Sequence, residues 1–264
     1  MSMTEQRHDN EKAPAEKQEA ERELTPQEKR SSLLSHLLAL RKVVVISAAA
    51  VVVAFFLVFY LCIEQLMNWI IDPIAARGIE IIYAAMSEAL VTKFKVALIA
   101  ACIVASPVVI WQVWGFIKPA LYPNEQKHFR VLFVIALLLF LLGVAFCYFA
   151  VYQLAVDFFL IQGEGHATPM LSIDNYVKFL FGFIVPFGVA FQLPVALYLT
   201  TRMGWTNYKM LSSKRKYVLL GIFIVAAILT PPDVVSQVAL GVPLYVLFEI
   251  GVQVARLTKP RERA

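Results

Sequence analysis

Six long apolar stretches, separated by polar segments, make up most of this 264-residue chain. A hydrocarbon core about 30 Å thick requires roughly 20 apolar residues in a helix that rises 1.5 Å per residue. The predicted spans are Val43–Ile63, Val96–Phe116, Val131–Leu154, Tyr176–Thr200, Tyr217–Thr230 and Val234–Ala255. The pattern therefore predicts an all-α, polytopic membrane protein with six transmembrane helices.

The fifth predicted span is shorter than the others. At a rise of 1.5 Å per residue, Tyr217–Thr230 reaches only about 21 Å. Pro231 and Pro232 follow at once, and they end the helix because proline lacks an N–H donor and restricts the residue before it. A span this short requires the bilayer to thin beside it, or water to enter.

Lysine and arginine residues are distributed unevenly between the two sides that these spans define. Leaving the far amino-terminal tail aside, sixteen lie on one side and four on the other. The four are Arg77, Lys93, Lys95 and Lys178. Because positive residues in short loops are retained in the cytoplasm, both termini are predicted to be cytoplasmic.

Composition fits the membrane class, with 59% hydrophobic and 16% charged residues. Anionic lipid headgroups account for the net charge of +5, so no nucleic-acid partner is expected. All three cysteines fall in apolar stretches, where they pack as small hydrophobic residues, and no Cys/His spacing typical of a metal site occurs. We expect no disulfide, no metal site and no cofactor.

The chain divides into a polar cytoplasmic tail at 1–30, a six-helix membrane domain at 31–257 and a short cytoplasmic tail at 258–264. The tail at 1–30 mixes charges of both signs and is predicted to be disordered or transiently helical. Of the connections predicted to lie outside, Glu64–Lys95 should fold as short helices against the membrane surface. Another, Ala155–Asn175, contains two glycines and a proline and should turn without a long helix.

Four stretches of the chain resemble the TatC family, the multispanning receptor subunits of the twin-arginine protein translocase. The loop Phe116–Lys127 resembles the family's first cytoplasmic loop. The others are Ser35–Lys42, Thr230–Gln237 and Leu247–Gly251. With six spans, cytoplasmic termini and a short fifth span, the likeness covers about residues 31–257.

The resemblance implies a receptor and core subunit, not an enzyme, in the bacterial inner membrane. Such a subunit recognises folded precursors whose signal peptides carry paired arginines, and it exports them by using the proton-motive force. It is oligomeric, contacts membrane lipid and recruits the single-span subunits TatA and TatB.

The resemblance also implies a signal-peptide site. Its members in this chain are Glu125, Phe116, Pro119, Leu40 and Arg41. A guanidinium presents a planar fork of donors that a carboxylate accepts in two parallel bonds, and Glu125 is an acidic residue on an otherwise cationic side. The alternatives are a solvated Glu125 paired weakly with Lys127 or Arg130, and ordinary interfacial packing for Phe116.

Two residues depart from the family pattern. Ala39 occupies a position that is commonly glutamate in the family and helps bind the signal arginines. Gln192 also replaces a common glutamate, and it keeps hydrogen-bonding capacity without charge.

A second candidate site consists of polar residues in or beside the apolar spans, which could form a polar, water-reached concavity where partner transmembrane helices dock. Its members are Gln237, Thr230, Gln192, Asp233 and Glu249. The alternative is that these side chains make ordinary contacts between helices of this chain, worth about 0.6 kcal/mol each.

Two other classes of function are alternatives to a translocase receptor. A proton-coupled secondary transporter of small solutes needs ionisable groups near the midplane and broken helices in paired positions. The span centres instead carry glutamines, and Glu249 lies toward the cytoplasmic end. An intramembrane enzyme is disfavoured because no Ser/His pair lies at membrane depth and no phosphate-binding loop occurs.

Overall fold

The computed structural model describes residues 26–117, 129–163, 170–229 and 233–258. The helices are α1 (Pro26–Leu61), α2 (Ile63–Ala75), α3 (Glu88–Ile117), α4 (Phe129–Phe146), α5 (Gln153–Gly163), α6 (Ile173–Ala190), α7 (Leu193–Arg202), α8 (Tyr208–Ser213), α9 (Arg215–Leu229) and α10 (Val234–Leu257). A π-helical turn, Cys147–Tyr152, joins α4 to α5, and the two strands are β1 (Glu80–Ile82) and β2 (Met170–Ser172). The predicted fold class, an all-α polytopic membrane protein, is confirmed.

Five helical segments within the described ranges are long and apolar enough to cross a membrane. They are Leu37–Leu61, Glu88–Phe116, Arg130–Phe158, Ile173–Arg202 and Val234–Leu257. The predicted fifth span corresponds to α9, which has only 15 residues and falls short of this length. The count of six spans and the cytoplasmic location of the termini therefore remain predictions. The division into two tails and a membrane domain also remains a prediction, and residues 1–25 and 259–264 of the tails lie outside the described residues.

The chain forms two compact units, residues 1–45 and 46–264. In the larger unit, α4 and α6 approach each other closely because a glycine on each helix faces a phenylalanine ring from the opposite segment. A Cβ on Gly143 would lie 2.7 Å from the Phe191 ring, and a Cβ on Gly188 would lie 2.9 Å from the Phe140 ring. This reciprocal contact fixes the centre of the bundle, since any larger residue at either glycine would collide with a packed phenylalanine.

Helix α2 is held against the bundle through its own backbone carbonyls. Pro73 has no N–H, so the Trp69 carbonyl, four residues earlier, lacks its usual helical donor. The Tyr148 hydroxyl donates to that carbonyl at 3.2 Å, and the buried Tyr176 hydroxyl donates to the Ile70 carbonyl at 2.8 Å. Two tyrosines from the α4–α6 region thus satisfy carbonyls on the inner face of α2.

Arg77 provides a further connection from the end of α2 to α5. Its guanidinium donates to the Pro73 carbonyl at 2.8 Å, to Asp157 at 2.9 Å and to Gln153 at 2.8 Å. The connection Glu64–Lys95 therefore contains a short helix, as predicted, and the helix is fastened to its neighbours. The prediction that Ala155–Asn175 turns without a long helix is wrong for its first part, because α5 continues to Gly163.

The strands were not predicted, and they pair in parallel with Glu80 opposite Met170 and Ile82 opposite Ser172. Glu88, in the first turn of α3, connects this sheet to the bundle. Its carboxylate accepts from the backbone N–H groups of Ala84, Ala85 and Asp174 and from the Ser172 hydroxyl. We call this end of the bundle, formed by α2, β1, β2 and the first turns of α3 and α6, the α2 end, and the opposite end, around α8, the α8 end.

Helix α9 stops well below the α2 end. The Leu229 carbonyl lies 3.0 Å from the position that a Cβ on Gly182 would take. Gly182 is nine residues into α6, which corresponds to about 14 Å along that helix. The last turn of α9 is thus recessed within the bundle, as the mismatch of a short fifth span requires.

Candidate functional site

The residues predicted to bind a signal peptide are only partly within the described ranges. Pro119 and Glu125 belong to the loop 118–128, which lies outside them. Leu40 and Arg41 lie on α1 within the unit 1–45, and both side chains are exposed. Phe116 is in the last turn of α3 and is half-buried.

The two helix ends from which the 118–128 loop leaves are firmly packed. Trp114 is buried in a cluster with Ala136 of α4 and with Val195 and Leu199 of α7. One turn away, the Trp111 ring meets the Phe133 ring edge-on at a centroid distance of 5.0 Å. Sequence reasoning missed these tryptophans as supports of the loop, although two tryptophans spaced i, i+3 just before it were a visible signal.

The α8 end carries an ion pair that joins α9 to α10. Arg215 donates to both carboxylate oxygens of Glu249, from Nε at 2.9 Å and from a terminal nitrogen at 2.5 Å. Gln253, one turn further along α10, donates to the same carboxylate at 3.0 Å. The hydrogen bonds that Arg215 donates to Glu249 raise the pKa of its guanidinium, which is charged at physiological pH in any case. Glu249 is thus occupied by neighbours within the chain.

Three cations lie over two aromatic rings at this end. The Arg256 guanidinium lies 5.6 Å from the Tyr208 ring centroid, and the Lys214 and Lys216 ammonium groups lie 5.5 Å and 5.3 Å from that of Tyr217. Such contacts keep cations near the surface while their stems cover apolar area.

Gln237 lies at the opposite end of the α9–α10 pair. Its side-chain amide donates to the Phe223 carbonyl at 3.0 Å and so bridges the two helices. Asp233 caps α10 by accepting from the Ser236 N–H at 2.7 Å. Within the described residues, the second Asp233 oxygen and the Ser236 hydroxyl are buried without a hydrogen-bond partner. Thr230, three residues before Asp233 in the sequence, is outside the described residues.

Gln192 lies at a different interface from Gln237. It occupies the break between α6 and α7, and its amide nitrogen donates to the Ala136 carbonyl of α4 at 3.0 Å. Its amide oxygen is buried and has no partner in the described part of the chain. The structure therefore brings Gln237 and Asp233 together but places Gln192 against α4 and Glu249 at the α8 end.

Helix α9 presents an uncovered apolar face beside Gln237. Of its side chains only Ala226 is buried, and its most extensive described contacts are with α8 and α10. Leu220, Ile224 and Ile228, spaced four residues apart, form one exposed stripe along the helix. Within a membrane such a stripe faces either lipid or another helix.

Comparison with known proteins gives a consistent result. The family model TatC, described as Sec-independent protein translocase protein, matches residues 35–243. The Sec-independent protein translocase protein TatC of Carboxydothermus hydrogenoformans is 37% identical over 237 residues, which cover 89% of this chain and 97% of that protein. The protein of the same description from Escherichia coli K12 is 37% identical over 231 residues, covering 85% and 88%. A crystal structure of the twin arginine translocase receptor TatC superposes with a TM-score of 0.78 at 36% identity, covering 84% of this chain and 99% of that one.

Proposed function

The chain belongs to the TatC family of Sec-independent protein translocase proteins, and from this premise we propose that it binds twin-arginine signal peptides of folded precursors in a bacterial inner membrane. Family membership over most of the chain is the observation that carries the proposal. A proton-coupled transporter of small solutes is not supported, because the relatives are translocase proteins. No catalytic step is part of the proposed function.

The proposed signal-peptide site lies on the cytoplasmic side, centred on Glu125. The loop that carries it connects α3 to α4, which pack together through Trp114 and Ala136. An ionised carboxylate accepts paired hydrogen bonds from a guanidinium. Because Ala39 supplies no second carboxylate, recognition depends more heavily on Glu125 than in relatives with glutamate there. Leu40, Arg41, Phe116 and Pro119 supply the surrounding contacts.

The proposed docking site for the partner subunits TatA and TatB is the exposed stripe of α9 together with Gln237, Asp233 and Thr230. A single-span helix that carries a polar group would pack on the stripe and place that group at the recessed end of α9. There it meets hydrogen-bonding atoms in place of hydrocarbon, which lowers the cost of its desolvation. Glu249 and Gln192 support the docking site indirectly, by holding helices of this chain together. Glu249 binds α9 to α10 through Arg215, and Gln192, just before α7, donates to the Ala136 carbonyl of α4.

A crosslinking experiment tests the signal-peptide site. A photoreactive residue in place of Gln126, next to Glu125, should crosslink to precursors with paired arginines and only weakly to the same precursors with paired lysines. A lysine presents a single ammonium and cannot make the bidentate contact of a guanidinium. Equal crosslinking of both precursors would refute recognition of the arginine pair at this loop.

A further inference from the structure

We propose that a cavity roofed by α2 is a binding site for one acyl chain of a membrane phospholipid. The cavity has a volume of about 230 Å³ and lies between α2, α3, α4 and α6. It is separate from both sites described above, since none of its lining residues belongs to them.

The walls of the cavity offer nothing that would hold water. All lining side chains are aliphatic or aromatic, among them Val96, Ile99 and Ala100 of α3 and Leu180 of α6. The polar tip of Tyr148, the lining tyrosine, already donates to the Trp69 carbonyl of the roof. Apolar cavities of about 150 Å³ stay dry and bind small apolar molecules, so a larger one of the same character favours an apolar occupant.

The cavity is open to the region where hydrocarbon would be. Leu141 and Phe149 line it, and they are 43% and 67% exposed on the outer surface of the spanning segment Arg130–Phe158. By contrast, Val96 and Leu180 form its inner wall and are each 1% exposed. A chain that enters between the exposed residues therefore reaches side chains that bulk lipid does not touch.

Size distinguishes an acyl chain from a partner helix. One helical turn, 5.4 Å of a cylinder about 10 Å wide, occupies about 420 Å³. The cavity holds about half of that, so it accepts a slender chain but not a helix. Acyl chains are also the most abundant apolar molecules in a bilayer, and their entry replaces an empty volume with dispersion contacts.

Helix α2 forms the roof of the cavity, and its attachment to the bundle fixes the size of the cavity. Leu66, Trp69 and Ile70 form the roof, and the hydroxyls of Tyr148 and Tyr176 hold the carbonyls of the last two. The Trp69 ring also stacks on the Tyr148 ring at a centroid distance of 4.2 Å. The roof is thus attached to the wall of the cavity, which favours a permanent lipid site over a transient gap.

The test uses the full chain in vesicles of phosphatidylethanolamine and phosphatidylglycerol, with a phospholipid that carries a diazirine near the end of one acyl chain. After illumination, mass spectrometry should find label on Val96 and Leu180. Ala100→Phe fills the cavity from α3 and should cause loss of that label. Ala145→Leu fills the cavity from α4 with a smaller side chain and should cause the same loss of label. This variant replaces Ala100→Phe in the test if Ala100→Phe does not elute as a single species in size-exclusion chromatography.

Val104→Phe is the matched control, since it makes a large substitution on α3 at an exposed position outside the cavity. It should leave the label on Leu180 unchanged. Label that persists on Leu180 in both filled variants, or that appears only on lipid-facing residues such as Val104 and Leu138, would overturn the proposal. So would crosslinking of Leu180 to a partner subunit's helix under conditions in which the lipid probe leaves it unlabelled.

Discussion

Glu88 and Glu249 use their carboxylate oxygens within the fold, whereas the proposed function reserves Glu125 for an external pair of guanidinium groups. Glu88 accepts from three backbone N–H groups and one hydroxyl, and Glu249 accepts from Arg215 and Gln253. A carboxylate already surrounded by donors gains little from another. The binding role is therefore better assigned to the loop carboxylate than to either of these two.

At the residue scale, Glu125→Gln should weaken binding of a twin-arginine peptide by at least about tenfold, or about 1.4 kcal/mol. The change keeps the size of the side chain but removes its charge, and hydrogen bonds to charged groups contribute about 1.5–3 kcal/mol. Ala39→Glu, which adds the carboxylate common in the family, should tighten binding. Fluorescence titration with a labelled peptide, with the paired-lysine peptide as control, measures both. Wild-type affinity in the Gln variant would show that Glu125 has another role.

The attachment of helix α2 to the bundle depends on two tyrosine hydroxyls from other elements. Tyr176→Phe removes the donor to the Ile70 carbonyl and keeps the ring, which is only 3% exposed. The Ile70 carbonyl keeps its helical donor, the Ile74 N–H, so losing the bond from Tyr176 should cost about 0.5–1.5 kcal/mol. Hydrogen exchange should therefore accelerate in α2 and stay unchanged in α10. Tyr60→Phe, at an exposed position, is the control, and equal exchange in both variants would exclude a role for the hydroxyl.

The α9 stripe yields a second prediction at this scale. Gln237→Leu should reduce co-purification of TatA and TatB and leave crosslinking of a twin-arginine precursor intact, because the two proposed sites lie at opposite ends of the bundle. Since Gln237 also bridges α9 and α10, Ile228→Ala provides an independent test on a side chain that is 77% exposed. Leu138→Ala, exposed on α4, is the control. Loss of both partner and precursor binding, or of neither, would contradict two separate sites.

The sequence predicted the helices better than it predicted where they end and which contacts hold them together. Apolar length identified the spans, but α3 begins at Glu88, not Val96, because its polar first turns are held by interactions between elements. Lys95, for example, pairs with Asp174 of α6. The strands escaped prediction because each has three residues and their partners lie 90 positions apart, as Glu80 and Met170 do.

The same limit applies to the candidate site. The sequence singled out polar residues in apolar stretches, but the partners of those residues depend on the tertiary structure. Nothing in local sequence indicates that Gln237 meets the Phe223 carbonyl or that Arg215 reaches Glu249. The predicted docking set was therefore chosen by type of residue, and the structure divides it among three places.

At the scale of the whole molecule, the charge asymmetry predicts which end of the bundle faces the cytoplasm. Single cysteines introduced into a cysteine-free variant at Gly163, near the α2 end, should react with an impermeant maleimide added outside sealed cells. A cysteine at Asn124 should react only after the membrane is opened. Replacing the three native cysteines by alanine or serine supplies the background, and the reverse labelling pattern would invert the topology.

The proposed function is that of the receptor subunit of a translocase for folded proteins with twin-arginine signals. Its most direct test is import into inverted membrane vesicles that contain this chain with TatA and TatB, using a folded fluorescent protein behind such a signal. We predict protease-protected, folded reporter that depends on the arginine pair and on Glu125 and is abolished by a protonophore. Import that is equally efficient with paired lysines, or that persists without the chain, would contradict the account.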